Sequence, residues 1–211
     1  MAASKETKFL VGTFFLSLFG GGAGVLLMSK IGLLKPSARI TPPHILNINP
    51  EALLGSSPFP HKPYVLVEFM DYQCPPCRAK RSEVNALIEQ NKGKMQFSVR
   101  NFPLKMHIHS FDAAVAAVAA GEQNKFWPMH EALLEGESLK TDEVETIMHR
   151  VGLNERRFHA SCLGSARKRV QEDLQLAESL HLDSTPSWLL CTPEGKVWQL
   201  ASLSQVGEIA R

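Results

Sequence analysis

Cys74 and Cys77, separated by Pro75 and Pro76, carry the most reactive spacing in this chain of 211 residues. Two thiols at that distance alternate between dithiol and disulfide by exchange through a mixed disulfide with a second molecule. The same spacing also serves as half of a zinc site or as a structural bridge. Zinc needs a second half, but Cys162 and Cys191 stand isolated, and no His-x-x-x-His follows at finger or ribbon spacing. A structural bridge across so few residues closes little chain and adds little stability. Redox exchange is the reading these residues favour.

The flanking sequence explains how such a pair is positioned. Tyr64 to Met70 is an almost unbroken apolar run with one acid, Glu68, and suits a strand covered on both faces. After Cys77 the spacing turns helical, with Val84, Leu87 and Ile88 on one face and Gly93 as the stop. Pro75 and Pro76 lack N–H donors, which costs nothing in a first turn. The pair therefore falls where a strand hands over to a helix N-terminus. There the macrodipole and unpaired N–H groups favour a thiolate, which marks Cys74, the outer cysteine, as nucleophile. Cys77, one turn in, is expected to be the more shielded, resolving partner, and Arg78, Lys80 and Arg81 add positive charge nearby.

The composition, 44% apolar and 21% charged with a net charge of +2, is that of a globular protein. That charge, without a basic stripe interleaved with aromatics, gives no signal for nucleic acid. Residues 1–8 form a short flank, and residues 9–28 are uncharged, rich in Leu, Phe and Val, and long enough to span a bilayer. An uncleaved transmembrane anchor is the reading preferred to a cleaved signal peptide, because apolar sequence resumes after the glycines and no Ala-x-Ala follows. The Pro/Ser-rich stretch 29–62 reads as a tether, with a short edge strand in Ile45–Ile48. Residues 63–104 supply strand, helix and a second strand through Met95, Phe97 and Val99. Residues 105–182 are helical. Thr141 is the expected cap of one helix there, and Val170, Leu174 and Ala177 point inward from another. Residues 183–211 add a strand from Ser187, a Thr192-Pro-Glu-Gly turn, a returning strand and a closing helix, Ser204 to Arg211. This order predicts an α/β thioredoxin-like fold with an inserted helical domain, preceded by an N-terminal transmembrane helix.

Several residues together resemble the DsbA-like thioredoxin-fold thiol–disulfide oxidoreductases of bacterial envelopes. They are Val65-Leu-Val-Glu-Phe ahead of Asp71-Tyr-Gln-Cys-Pro-Pro-Cys, Asn101-Phe-Pro-Leu, Ala120-Gly-Glu-Gln with Lys125-Phe-Trp, and Ser184-Thr-Pro-Ser. The resemblance covers roughly 55–201. It implies that Cys74 attacks, that Cys77 resolves, and that Pro186 is a cis-proline facing the pair. It also implies that the Thr185 backbone holds an extended client beside Cys74. Glu68, six residues before Cys74, matches the family's buried acid, whose raised pKa suits proton exchange with Cys77. With Pro-Pro and no His between the cysteines, a less oxidising couple is expected than in the strongest oxidants of the family.

The implied protein is a single-pass protein of the bacterial inner membrane with its catalytic domain in the periplasm, where thiols meet an oxidising compartment. Its partners are cysteine-containing clients and a membrane redox partner that resets the couple; no cofactor and no metal is expected. The rival class is a membrane-tethered peptide-binding or chaperone module whose cysteines stay paired. Cys162 and Cys191 read as free, buried apolar groups rather than a second disulfide. His107 and His109 read as rim histidines rather than ligands, and Trp127, Trp188 and Trp198 as core or rim aromatics.

Overall fold

The computed structural model describes the backbone of residues 44–46 and all of residues 64–210. The expected anchor, 9–28, and most of the tether lie outside the described residues. Among the described residues no helix is long and apolar enough to cross a membrane.

The apolar run is strand β2, Tyr64–Met70, and six of its seven residues are buried. It is covered because neighbours take both its edges. On one side lies β3, Met95–Asn101, in parallel register; on the other lies β4, Ser187–Cys191, antiparallel. Outward from β4 follow β5, Val197–Leu200, and the edge strand β1, His44–Leu46, giving the order β1-β5-β4-β2-β3. Helix α1, Pro75–Gln90, makes the crossover between the parallel strands.

Alternation along β2 splits its side chains between two cores. Val65, Val67 and Phe69 pack with Leu189, Cys191 and Ala177. Leu66 packs with Val84 of α1, Leu190, Leu203 and Val206. Glu68 shares the α1 face with Leu66 and Met70, and this parity directs its carboxyl toward the cysteines.

Five helices stand between β3 and β4: α2 (Ser110–Gly121), α3 (Phe126–Glu135), α4 (Thr141–Val151), α5 (Glu155–Leu163) and α6 (Ser165–Ser179). Small residues explain why α2 lies at their centre. Ala113, Ala114, Ala116, Ala117, Ala119 and Ala120 are buried, which lets α3, α5 and α6 approach it from several sides. Tyr72, Cys74 and Cys77 belong to this third core, so the redox pair sits where sheet and helical insertion meet.

Three local expectations are corrected. Thr141 opens α4 without capping it. Instead the Glu143 carboxylate accepts the N–H groups of Glu137, Ser138 and Leu139, and although burial pushes its pKa up, these donors hold it down to about 2. The closing helix is a single turn, α7 (Val206–Ile209), entered through a capping box of Ser202 and Gln205. On α6 the inward position beside Val170 and Ala177 belongs to Asp173, while Leu174 is half-buried.

Asp173 fastens the insertion to the sheet. Its carboxylate accepts Arg100 Nη1 at 2.6 Å, Asn101 N at 3.0 Å and Asn101 Nδ2 at 3.1 Å, with both ion-pair partners at 5% side-chain exposure or less. Asp173→Ala removes that acceptor from a dry interface and is expected to cost about 3 kcal/mol or more. Urea unfolding would measure it; a loss below about 1 kcal/mol would show that the tie is not a stabilising one.

Candidate functional site

Cys74 occupies the N-cap position of α1 in extended geometry (φ −72°, ψ 118°), with prolines filling the first two helical positions. Its Sγ donates to the Thr185 carbonyl at 3.3 Å. The Thr185–Pro186 peptide that follows is cis, the geometry the resemblance implies. All four cysteines are free thiols, so no second bridge joins Cys162 to Cys191.

One expectation about exposure fails. Cys74 was to be the outer cysteine, yet it is 4% exposed against 3% for Cys77. The cause is Thr185, which carries its carbonyl up to the Cys74 sulfur. Apolar spacing along one helix cannot report a loop that arrives 111 residues later.

Glu68 is 5% exposed in the middle of β2, and burial raises its pKa from 4.5 to about 7. It lines a cavity of about 350 Å³ between α1 and α3, together with Cys77, Met70, Phe97, Trp127 and His130. Burial pushes the Cys77 thiol well up. The Asp71 backbone N–H works against that shift, and the neighbouring Cys74 and Glu68 charges reinforce it. A thiol so disfavoured as thiolate ionises only where a base can take its proton, and the Glu68 carboxyl shares its cavity. His130 is held down to about 4 by burial and then by the Arg81 charge, so it faces the cavity as a neutral ring. Its Nδ1 pairs with the hydroxyl of fully buried Tyr72 at 3.0 Å. Arg81 ties α1 to α3 through Glu131 and Glu135.

The turn between β2 and α1 is held by side chains that sequence reasoning passed over. Asp71, 1% exposed, accepts Gln73 N and Leu104 N, each at 2.7 Å, Ser110 Oγ at 2.5 Å, and pairs with His107 Nδ1 at 2.8 Å. Gln73 reaches two further segments, accepting His109 N at 2.7 Å and donating to the Ser138 carbonyl at 3.1 Å. Arg78 donates to the carbonyls of Tyr72 and Gly136. His107 is thus a structural partner of Asp71, and no group of three or more His, Cys, Asp or Glu among the described residues is placed to hold a metal. For His130 a signal existed: Phe126 and His130, four apart, share the helical face that also carries buried Leu133. For Asp71 and Gln73 none did, since apart from the bond between the two their partners lie more than 30 residues away.

The remaining cysteines differ from one another. Cys191 is fully buried in the sheet, and burial raises its pKa to about 12. Cys162, expected to be buried, is half-exposed on α5, with a pKa raised to about 11 by partial burial and then by Glu145. Trp188 is buried, Trp198 half-buried and Trp127 47% exposed at the cavity mouth.

Residues 59–191 match the family described as Thioredoxin, well over half of the chain. Over 158 residues the chain is 32% identical to the Na(+)/H(+) antiporter NhaA 1 of Mycobacterium sp. (strain KMS), a match covering 72% of this chain and 26% of that protein. The chain thus spans about a quarter of the length of such curated relatives. Among solved structures it is similar to a thioredoxin-like oxidoreductase from Silicibacter pomeroyi DSS-3, at 26% identity and TM-score 0.62, covering 76% of this chain and 95% of that one. The thiol–disulfide exchange protein alpha-DsbA2 from Wolbachia pipientis shares the fold at 20% identity and TM-score 0.61, over 76% of this chain and 89% of that one. The sheet order and the helices interposed between β3 and β4 agree with these matches: the chain belongs to the thioredoxin family.

Proposed function

We propose that this protein exchanges disulfides with cysteine-containing client proteins through Cys74 and Cys77. One observation carries the reading: the Cys74 sulfur, at a helix start, lies 3.3 Å from the carbonyl of the residue preceding cis-Pro186. An extended client that pairs with the Thr185 backbone brings its own sulfur to Cys74, taking the place of that S–H···O contact.

In the reducing direction the Cys74 thiolate attacks a client disulfide, forming a mixed disulfide and releasing one client thiolate. Glu68 takes the Cys77 proton; Cys77 then attacks the Cys74 sulfur and releases the second client thiolate. Two electrons pass to the client and the pair ends as a disulfide. Run backwards, the same steps oxidise a client dithiol. This thiol chemistry uses no metal or organic cofactor, but the couple must be reset, and a membrane redox partner is the proposed agent. Residues 9–28 would anchor the chain in the bacterial inner membrane, and 29–62 would tether the catalytic domain on its periplasmic side.

Three outcomes are expected. Cys74→Ser abolishes both insulin reduction and RNase reoxidation, whereas Cys77→Ser accumulates mixed disulfides with clients; activity surviving in the Cys74 variant overturns the reading. Thiol counting on the denatured, oxidised protein finds two free thiols, Cys162 and Cys191, and none if those two pair. Glu68 leaves a pH signature. Its carboxyl ionises near 4.5 when unfolded and near 7 when folded, so the folded state holds the extra proton between those values. Stability therefore falls as pH rises through that window, by up to about 3 kcal/mol. Glu68→Gln should flatten that slope in urea midpoints taken from pH 4 to 9, and slow mixed-disulfide resolution by at least about 10²-fold.

A further inference from the structure

A second cavity, of about 180 Å³, opens in the helical insertion between α2, α4 and α5. Its floor is apolar, with Val115, Leu139, Val144 and Phe158. At its rim Arg167 pairs with Asp112 at 3.1 Å, and His159 Nε2 lies 3.6 Å from a Glu145 carboxylate oxygen. The one guanidinium of the lining is thus already engaged by Asp112, and the floor suits a hydrocarbon or aromatic group.

Hydrogen bonds of Gln73 tie the walls of this cavity to the segment that carries Cys74. Gln73 immediately precedes Cys74, and its side chain bonds His109 on one wall of the cavity and Ser138, next to Leu139, on another. The sheet order sets the direction of approach. Thr185 leads into β4, whereas the segment holding His109 follows β3, and β4 and β3 flank β2 on opposite sides. A client lying along Thr185 and crossing Cys74 is therefore carried toward this cavity. On the way it meets Met106 and Ile108, 78% and 79% exposed, which His107 leaves on the outer side when it turns inward to Asp71.

We propose that this cavity is a specificity pocket for a large apolar side chain, Phe or Leu in kind, flanking the reactive cysteine of a client. The proposal rests on the assignment of Cys74 as the cysteine that meets clients. Partial burial of such a side chain gives at least about a tenfold preference over alanine.

The test uses the oxidised full-length protein and a panel of short cysteine peptides carrying Phe, Leu or Ala at the positions flanking the cysteine. Glutathione serves as a thiol with no such side chain. Stopped-flow rate constants should favour the Phe and Leu peptides over the Ala peptide by tenfold or more. Thr141→Trp, at an exposed rim position, should bring that ratio to within about twofold. In the mixed disulfide trapped with Cys77→Ser, the Val115 and Val144 methyl resonances should shift with the Phe peptide and not with the Ala peptide. Equal rates across the wild-type panel, a ratio that survives Thr141→Trp, or unmoved methyls would overturn the pocket while leaving the redox reading intact. Failure of every peptide and of glutathione to react would instead remove the redox reading on which the pocket rests.

Discussion

The carboxylate of Asp71 is the point at which the separate parts of this fold are joined around the redox pair. It is enclosed by protein and meets two backbone N–H groups, a hydroxyl and an imidazole nitrogen, drawn from the turn itself and from the segment after β3. Hydrogen bonds to a charged acceptor contribute roughly 1.5–3 kcal/mol each, and a buried N–H stripped of its acceptor costs about 1–3 kcal/mol. An apolar residue here would leave Gln73 and Leu104 N–H groups without that acceptor. The same residue's backbone N–H favours the Cys77 thiolate. One side chain thus sets the turn, and its own main chain tunes the inner sulfur.

Below that turn the electrostatics run the other way. Glu68 lies on an apolar strand, and Cys77 has its ionised form disfavoured by burial. Each charge is costly where it stands, and the two repel when both are present. Ionising one therefore disfavours ionising the other, and a single proton shared between carboxyl and thiol would relieve both, which is the basis of the proposed exchange. Neutral His130 fits the arrangement, since Arg81, already engaged by Glu131 and Glu135, discourages a further positive charge beside it.

Much of this was legible in the residues because it is local or periodic. A buried run, two prolines after a cysteine and a later helical spacing place β2, α1 and Cys74 without any tertiary information. Parity along β2 then forces Glu68 onto the α1 face. What escaped depends on segments distant in the chain: the burial of Cys74, the Asp71 clasp, and His130 within the Cys77 cavity, while Thr185 and Pro186 beside the pair were given by the resemblance and not by local pattern. Thr141 was misread because a hydroxyl before an acidic first turn usually caps, whereas here Glu143 supplies the acceptor from inside the helix. Asp173 was passed over because an acid on an apolar face reads as an interruption until its partner, Arg100, is known.

The two flanks of Cys74 suit different tasks. The proposed pairing with the Thr185 backbone would engage main-chain groups that every client possesses, and so would hold a client without choosing among them. Choice must then come from side chains, and the cavity of the helical insertion, tied to Cys74 by the hydrogen bonds of Gln73, is the proposed place for it. Burial of one large apolar side chain contributes at most about 1.5–3 kcal/mol. That is enough to rank clients and too little to exclude any. On the proposed function, a couple that turns over different sulfurs would gain from this division, because the chemistry would stay general while the neighbours of the client's cysteine set the order of reaction.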